Sequence, residues 1–232
     1  MKNSVKGTSI AIFMGFLLGA VNLLPAQKMV DARTINFDVD AQGNPLQAGM
    51  VLNEQYAAWG VHISAVNNRR NHPSEALIFE SSNPSGGDTD LGTPNQSFGG
   101  PGIGKGGSSV EGKNDQALGN LVIIAENMDD NDGDGMVDNP DDEAAGGQLI
   151  FKFDQKVTIT ELVLVDIDEN ERGAIIVATS GDKNGMEIPL KGLGDNSVVH
   201  LENANWTGID RFEIRFPGSG GVASLSFEPA QN

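Results

Sequence analysis

The sequence predicts an all-β protein, an antiparallel β-sandwich of jelly-roll type carrying a long Gly-rich loop and an Asp-rich loop. Three observations predict it. Nearly every apolar segment is short and bounded by Gly, Asn, Asp or Pro. Most of these segments alternate apolar and polar residues with period two, the mark of a strand with one wet face. Only "LNEQYAAWG", Leu52 to Gly60, reads as a brief helical turn.

Taken in chain order, "TINFD" puts Ile35 and Phe37 on one face. The segment 81–120 breaks the pattern, with eleven glycines and almost no apolar periodicity. A loop of that length inside a compact domain is functional or flexible. "GPGIGKGG" within it imitates a phosphate-binding loop, but Gly106 stands where a magnesium-binding Ser or Thr belongs, and no strand enters it or helix leaves it. "LVIIA" precedes the acidic loop and "QLIFKF" follows it, the latter aligning Leu149, Phe151 and Phe153. "VTITELVLVDID" and "GAIIVATS" are apolar on both faces in parts, which suits central strands or a bulge near Glu161. "RFEIRF" sets Phe212, Ile214 and Phe216 against Arg211, Glu213 and Arg215, and "ASLSF" sets Ala223, Leu225 and Phe227 against two serines. About ten strands joined by such turns make a sandwich.

Residues 1–32 read as an export signal. Lys2 and Lys6 precede an apolar core from Ser9 to Leu24, and small residues offer cleavage after Ala26 or Ala32. The apolar run is short for a spanning helix, so no stable membrane anchor is expected after cleavage. Cleavage after Ala32 removes Lys2, Lys6, Lys28 and Asp31 and takes the net charge from −17 to −19. The remaining 33–232 form one domain, which can bury roughly 70% of its unfolded surface. The expected location is secreted, periplasmic or cell-surface. So acidic a chain lacks the basic face that nucleic acid requires. There is no cysteine, which excludes thiolate metal sites, cysteine nucleophiles and disulfides.

The stretch "ENMDDNDGDGMVDNPDDEAAGG", residues 126–147, contains nine carboxylates, and no Lys or Arg occurs between Lys113 and Lys152. Aligned from Asp130 it reads D-x-D-x-D-G-x-x-D-x-x-D. Side chains two apart in a tight loop converge on one ion, so Asp130, Asp132 and Asp134 each offer an oxygen. Gly135 permits the turn that brings in the Met136 carbonyl. Asp138 acts directly or through water, and Asp141 closes the shell. Hard oxygen ligands in that number favour calcium. These residues resemble the calcium loops of EF-hands, and more closely the acidic repeats of the thrombospondin type 3 kind. Two departures are plain. Asp141 replaces the bidentate Glu usual in EF-hands, and strand-like flanks replace the helices, so the loop is expected to brace rather than to switch.

The stretches "INFDVDAQGNPLQAGMVLNEQYAAWGVHISA", "VDIDEN" and "GGVASLSFEP" resemble exported bacterial β-sandwich proteins, whose fold is shared with carbohydrate-binding modules. That resemblance implies a second calcium site between the first and last strands, from Asp38, Asp40 and Glu228. It also implies an extracellular polysaccharide or cell-surface glycan as partner. Trp206 is the candidate for an exposed ring on which a sugar could stack. His62 and His200 lie in strand-like runs, whereas His72 lies in a loop with Arg69 and Arg70, the one basic cluster of the mature chain. No nucleophile triad or metalloprotease helix is visible, so no catalytic residue is assigned. The expectation is a calcium-binding protein acting in adhesion or carbohydrate binding. A polysaccharide lyase or hydrolase, with Asp166, Asp168 and Glu169 as first candidates, and a structural component of an extracellular matrix are the alternatives.

Overall fold

The computed structural model describes residues 31–169, 174–179 and 185–230; all but the last two residues of the expected leader, 1–32, lie outside them. The described residues form ten strands: β1 (Arg33–Ile35), β2 (Val51–Leu52), β3 (Val61–Asn67), β4 (Ala76–Glu80), β5 (Asn120–Ile124), β6 (Gly147–Val165), β7 (Ile175–Thr179), β8 (Met186–Pro189), β9 (Val198–Phe216) and β10 (Gly221–Pro229). All pairings are antiparallel. The order is β2-β4-β5-β10-β6-β9-β7-β8, with β1 on β10 and β3 on β6. The turn expected near Leu52 to Gly60 is a single 3-10 helix, Ala57–Trp59, ended by Gly60 at φ 72°. Among the described residues no helix is long and apolar enough to cross a membrane.

Two 19-residue strands hold both layers of the sandwich. The first half of β6 pairs with β3 and with the second half of β9. Its second half pairs with β10 and with the first half of β9. Register breaks between Lys152 and Val157 allow the bend from one layer to the other. A further irregularity between Ile159 and Glu161, matched on the β10 side at Ser226 and Phe227, is the bulge expected near Glu161. "QLIFKF" and "VTITELVLV" are therefore one strand, not two.

Alternation sets which side chains meet in the middle. Ile78, Val122, Ile124, Leu162, Leu164, Leu225 and Phe227 face Ile63, Leu149, Phe151, Ile176, Phe212 and Ile214 in the main core. Tyr56, 1% exposed, closes one end of it, and its hydroxyl donates to the Val39 carbonyl at 2.7 Å.

The layer of β4, β5, β10 and the second half of β6 is apolar on its outer face as well. Leu77, Phe79, Leu121, Ile123, Val163 and Val165 project there and are buried. Leu91 from the Gly-rich loop and Val137 from the acidic loop cover them. The Val137 N–H donates to the Gly49 carbonyl at 3.0 Å, and a Cβ on Gly49 would lie 2.3 Å from the Val137 oxygen. The two loops are thus the second cover of the sheet.

Asn196 pins the Gly-rich loop in place. It is fully buried, with φ 62°. Its Oδ1 accepts from the Asn95 amide at 2.7 Å and from the Asn114 amide at 3.1 Å, and its own amide donates to the Gly92 carbonyl at 2.8 Å. The loop passes so close that a Cβ on Gly104 would stand 2.4 Å from the Asp195 carbonyl. This contact, not phosphate binding, is what the glycine run serves. Asn196→Gly keeps the left-handed backbone and deletes the amide, so it should lower unfolding stability in urea by about 3 kcal/mol. An unchanged midpoint would show that the buried asparagines do not hold the loop.

Candidate metal centres

The acidic loop winds around Asp130, as its spacing predicts. Asp130 Oδ1 accepts the Gly133 N–H at 2.7 Å, and Oδ2 accepts the Gly135 N–H at 2.9 Å. Gly133 and Gly135 lie at φ 78° and 88°, a region glycine enters without strain. Asp138 reaches back to the Asn131 N–H at 2.7 Å. Asp130, Asp132 and Asp138 thereby bring one carboxylate oxygen each within 4.8 Å of one another, at an exposed position that could hold a metal ion.

Asp134 and Met136 contribute differently from the expected pattern. Asp134 Oδ1 accepts the Met136 N–H at 2.8 Å, and Asp134 is not in the converging group. Asp141 turns away altogether, because the chain after Val137 is drawn onto the sheet. It joins Asp88 and Asp142 in a second group with the same 4.8 Å limit. The Asp142 N–H donates to Asp88 Oδ2 at 2.7 Å, and Asp142 Oδ2 accepts the Gly220 N–H at 2.8 Å. A Cβ on Gly86 would lie 2.7 Å from that of Asp141, so only glycine lets the loops close here.

A third group joins Asp90, Asp166 and Asp195. Asp166 ends β6 with φ 63°, and its Oδ1 accepts the Asn196 N–H at 2.7 Å. Asp90 Oδ1 is buried and has no hydrogen-bond partner. Ser219 stands beside both Asp142 and Asp166, so the second and third groups adjoin.

What sets these two groups apart is burial without positive partners. Asp142 and Asp166 are each 3% exposed, yet among the described residues no Lys, Arg or His makes an ion pair with any of the six aspartates. Glu143, the next residue in the chain, shows the contrast. It is fully buried but meets Arg69 Nε at 3.2 Å and His72 Nδ1 at 2.7 Å, and accepts from the Ala145 N–H and the Asn67 amide. Burial pushes its pKa up, but the Ala145 N–H, the Asn67 amide and the charges of Arg69 and His72 outweigh it and hold the carboxyl below its usual range. The basic cluster around His72 therefore meets an internal carboxylate.

The uncompensated aspartates move the other way. Burial, then the charges of Asp90 and Asp168, push Asp166 up to about 8. Burial and the Asp142 charge raise Asp88, and burial raises Asp142. Asp90 and Asp195 rise through burial and neighbouring carboxylates. A carboxylate withdrawn from water without a counter-charge takes a proton or a metal ion.

The remaining expected residues stand apart from these centres. β1 does pair with β10, but Asp38, Asp40 and Glu228 do not converge. Asp38 Oδ1 accepts the Asn120 N–H at 2.9 Å, Asp40 is taken up by Gln42 and Asn44, and Glu228 pairs with Thr158 in the sheet. Trp206 is half-buried and stacked on Phe212 at 5.9 Å, so it packs on the core instead of standing free as a platform. His62 lies between Glu54 and Asp154, and His200 lies against Glu161. Asp88, Asp90, Asp142 and Asp195 were not legible as members of such groups. "GGDTDLG", "NPDDE", "VDID" and "GDN" each supply one or two carboxylates from separate segments. Comparison with known protein families and with characterised proteins finds no match to the chain.

The raised carboxylates fix the sign of a pH effect. In chelator, with no cation on the aspartates, the folded chain keeps protons that the unfolded chain releases near pH 4. Stability should then fall as pH rises from 5 to 8, by up to ~1.4 kcal/mol per pH unit for each such group. Carboxylates held low, such as Glu143 and Asp138, contribute in full above about pH 5 and do not cancel this. His62 is lowered by burial, but Glu54 and Asp154 outweigh that and raise it overall, so it acts in the same sense nearer neutrality. Asp166→Asn isolates the carboxylate part: in calorimetry with chelator it should melt higher than the parent at pH 8 and match it at pH 5. A parent chain that gains stability between pH 5 and 8 in chelator would contradict the assignment.

Proposed function

We propose that this chain is an exported, calcium-braced β-sandwich that acts by binding an extracellular polysaccharide or cell-surface glycan and not by catalysis. One observation carries the calcium reading: Asp88, Asp141, Asp142, Asp90, Asp166 and Asp195 close on each other with no basic side chain among them. The ligands are all hard oxygens, several to a centre and held by flexible loops, a set that suits calcium better than the rigid octahedron of magnesium. The exposed Asp130, Asp132 and Asp138 group adds a weaker, solvent-facing centre.

Support for glycan binding comes from a cleft of about 800 Å³ beside Asp195. Its lining includes Ser97, Lys105, Ser108, Asp168 and Glu169. Hydroxyl, carboxylate and ammonium groups of this kind suit a hydroxyl-rich ligand, and a cation on Asp195 would border the same space. Asp166 is sealed beneath the Gly-rich loop, which argues against its use as a general acid on a large substrate.

Calcium bound only by the folded state must raise the melting temperature, by the equivalent of about 2.7 kcal/mol at a hundredfold excess over the Kd. Melting curves should show this rise in the parent chain. Asp132→Ala should leave most of it, and Asp166→Asn should remove the share that the Asp90–Asp166–Asp195 centre supplies. Identical melts in calcium and chelator would overturn the calcium reading. A glycan array probed in calcium and in chelator checks the partner: calcium-dependent retention is expected. Release of reducing or unsaturated ends from a polysaccharide would instead assign an enzyme.

A further inference from the structure

A second cavity, of about 640 Å³, runs along the start of β9. Val198, Val199, His200 and Leu201 all line it, although consecutive side chains of a strand point to opposite faces. A cavity touched from both faces lies against the edge of the strand. Ile188, Leu190 and Leu201 extend the main core into it, and Leu118, Val163 and Val198 extend the second apolar cluster.

The strand edge there is open. Asp166 continues the register of the β6–β9 pair, and its N–H donates to the Ser197 carbonyl at 2.8 Å. Bonding alternates along an antiparallel pair, so Val199 and Leu201 bond to β6, while Val198, His200 and Glu202 turn their main-chain groups outward. The Val198 N–H donates to the Gly112 carbonyl at 3.0 Å. Among the described residues no other main-chain bond closes this edge, and β7 pairs only from Arg211 onward. The outer edge of β3 shows the contrast: its Val61, Ile63 and Asn67 N–H groups donate to the Tyr56 carbonyl, the Asn53 carbonyl and Ser74 Oγ. Past Glu202 the β9 edge is broken by Asn203 and Asn205, at φ 54° and 51°. The open stretch, Val198 to Glu202, is roughly 16 Å long.

Unpaired main-chain groups between apolar walls are the recognition surface of another strand. Charge narrows the choice of strand. The two ammonium groups at the rim are already taken, Lys191 by Glu111 and Lys113 by Asp115. Glu161 and Glu202 share only His200 between them. With a chain charge of −17 behind them, these carboxylates draw in a basic segment and repel an acidic one.

We infer that the β9 edge binds an extended segment of a partner protein, apolar at alternate positions and basic between them, which adds to the sheet as a strand. Its main chain pairs with His200 and Glu202. Its apolar row lies on Leu190 and Leu201, and its basic row meets Glu161 and Glu202. This surface depends neither on the cation centres nor on glycan binding.

The peptide acetyl-Lys-Val-Thr-Val-Lys-Val-Thr-amide, titrated into the whole chain, is the probe. Hydrogen exchange followed by NMR reads the geometry. In the free chain the His200 and Glu202 amides should exchange fast and those of Val199 and Leu201 slowly. Saturating peptide should slow His200 and Glu202 about tenfold. Peptides N-methylated along one edge or along the other should differ, one losing binding and one keeping it. Replacing both lysines of the peptide by Glu should weaken binding, by a factor that shrinks as salt is added. His200→Pro removes an outward N–H without touching the bonds to β6 and should weaken binding about tenfold, whereas His200→Ala should bind as the parent does. Unchanged exchange at His200 and Glu202 with peptide bound, indifference to which peptide edge is methylated, or equal binding of the Glu peptide would each overturn the proposal. Slowing of the same two amides with chain concentration alone would overturn it as well, by assigning the edge to a second copy.

Discussion

A sheet that is apolar on both faces must be covered on both, and in this chain the second cover is loop. Leu77, Phe79, Leu121 and Ile123 face away from the main core and would meet water if nothing lay over them. The exposure would forfeit roughly 1.5–3 kcal/mol for each large side chain. Leu91 and Val137 prevent it, and each belongs to a segment that is otherwise polar. Placing them on the sheet drags the neighbouring aspartates out of water. The cost is concentrated at Asp142 and Asp166, 3% exposed and, among the described residues, without a positive partner.

The chain meets the same problem in two ways within consecutive residues. Glu143 is buried with Arg69 and His72 beside it, a counter-charge written into the sequence. Asp142 has only N–H donors, a serine and other carboxylates. A divalent cation, as proposed, would supply what the sequence withholds there, and would join segments that lie far apart in the chain: 88–90, 141–142, 166 and 195. In a protein without cysteine, that is the role a disulfide would otherwise serve. Stability of the loops and the presence of the ion are then one equilibrium, since binding to the folded state alone adds to folding free energy.

Legibility followed the range over which each feature is determined. Alternation in "QLIFKF", "RFEIRF" and "ASLSF" gave the strands and their inward faces, because burial acts on every second residue locally. The Asp130 loop was also legible, since its carboxylates are neighbours and Gly133 and Gly135 mark the turns. The bulge near Glu161 showed as a lapse in alternation. Other features depend on partners distant in sequence. The joining of β6 and of β9 into 19-residue strands was hidden by polar interruptions at the bend. Asp141 was assigned by spacing to the Asp130 shell, but Val137 is anchored to the sheet and pulls the chain after it toward Asp88. The buried centres combine four segments with one or two carboxylates each, so no single window carries the signal. Trp206 could not be placed by composition, because its packing depends on Phe212 in the same long strand.

Proton release on calcium binding tests the central claim most directly. Asp166, pushed up to about 8 by burial and neighbouring carboxylates, holds a proton at neutral pH that a cation must displace. Calcium titrations at pH 7.5 in two buffers of different ionisation enthalpy give the number released per chain. The account predicts at least one proton for the parent chain and a clear reduction in Asp166→Asn. Tight calcium binding with no proton released would mean that the buried aspartates are not where the ion goes.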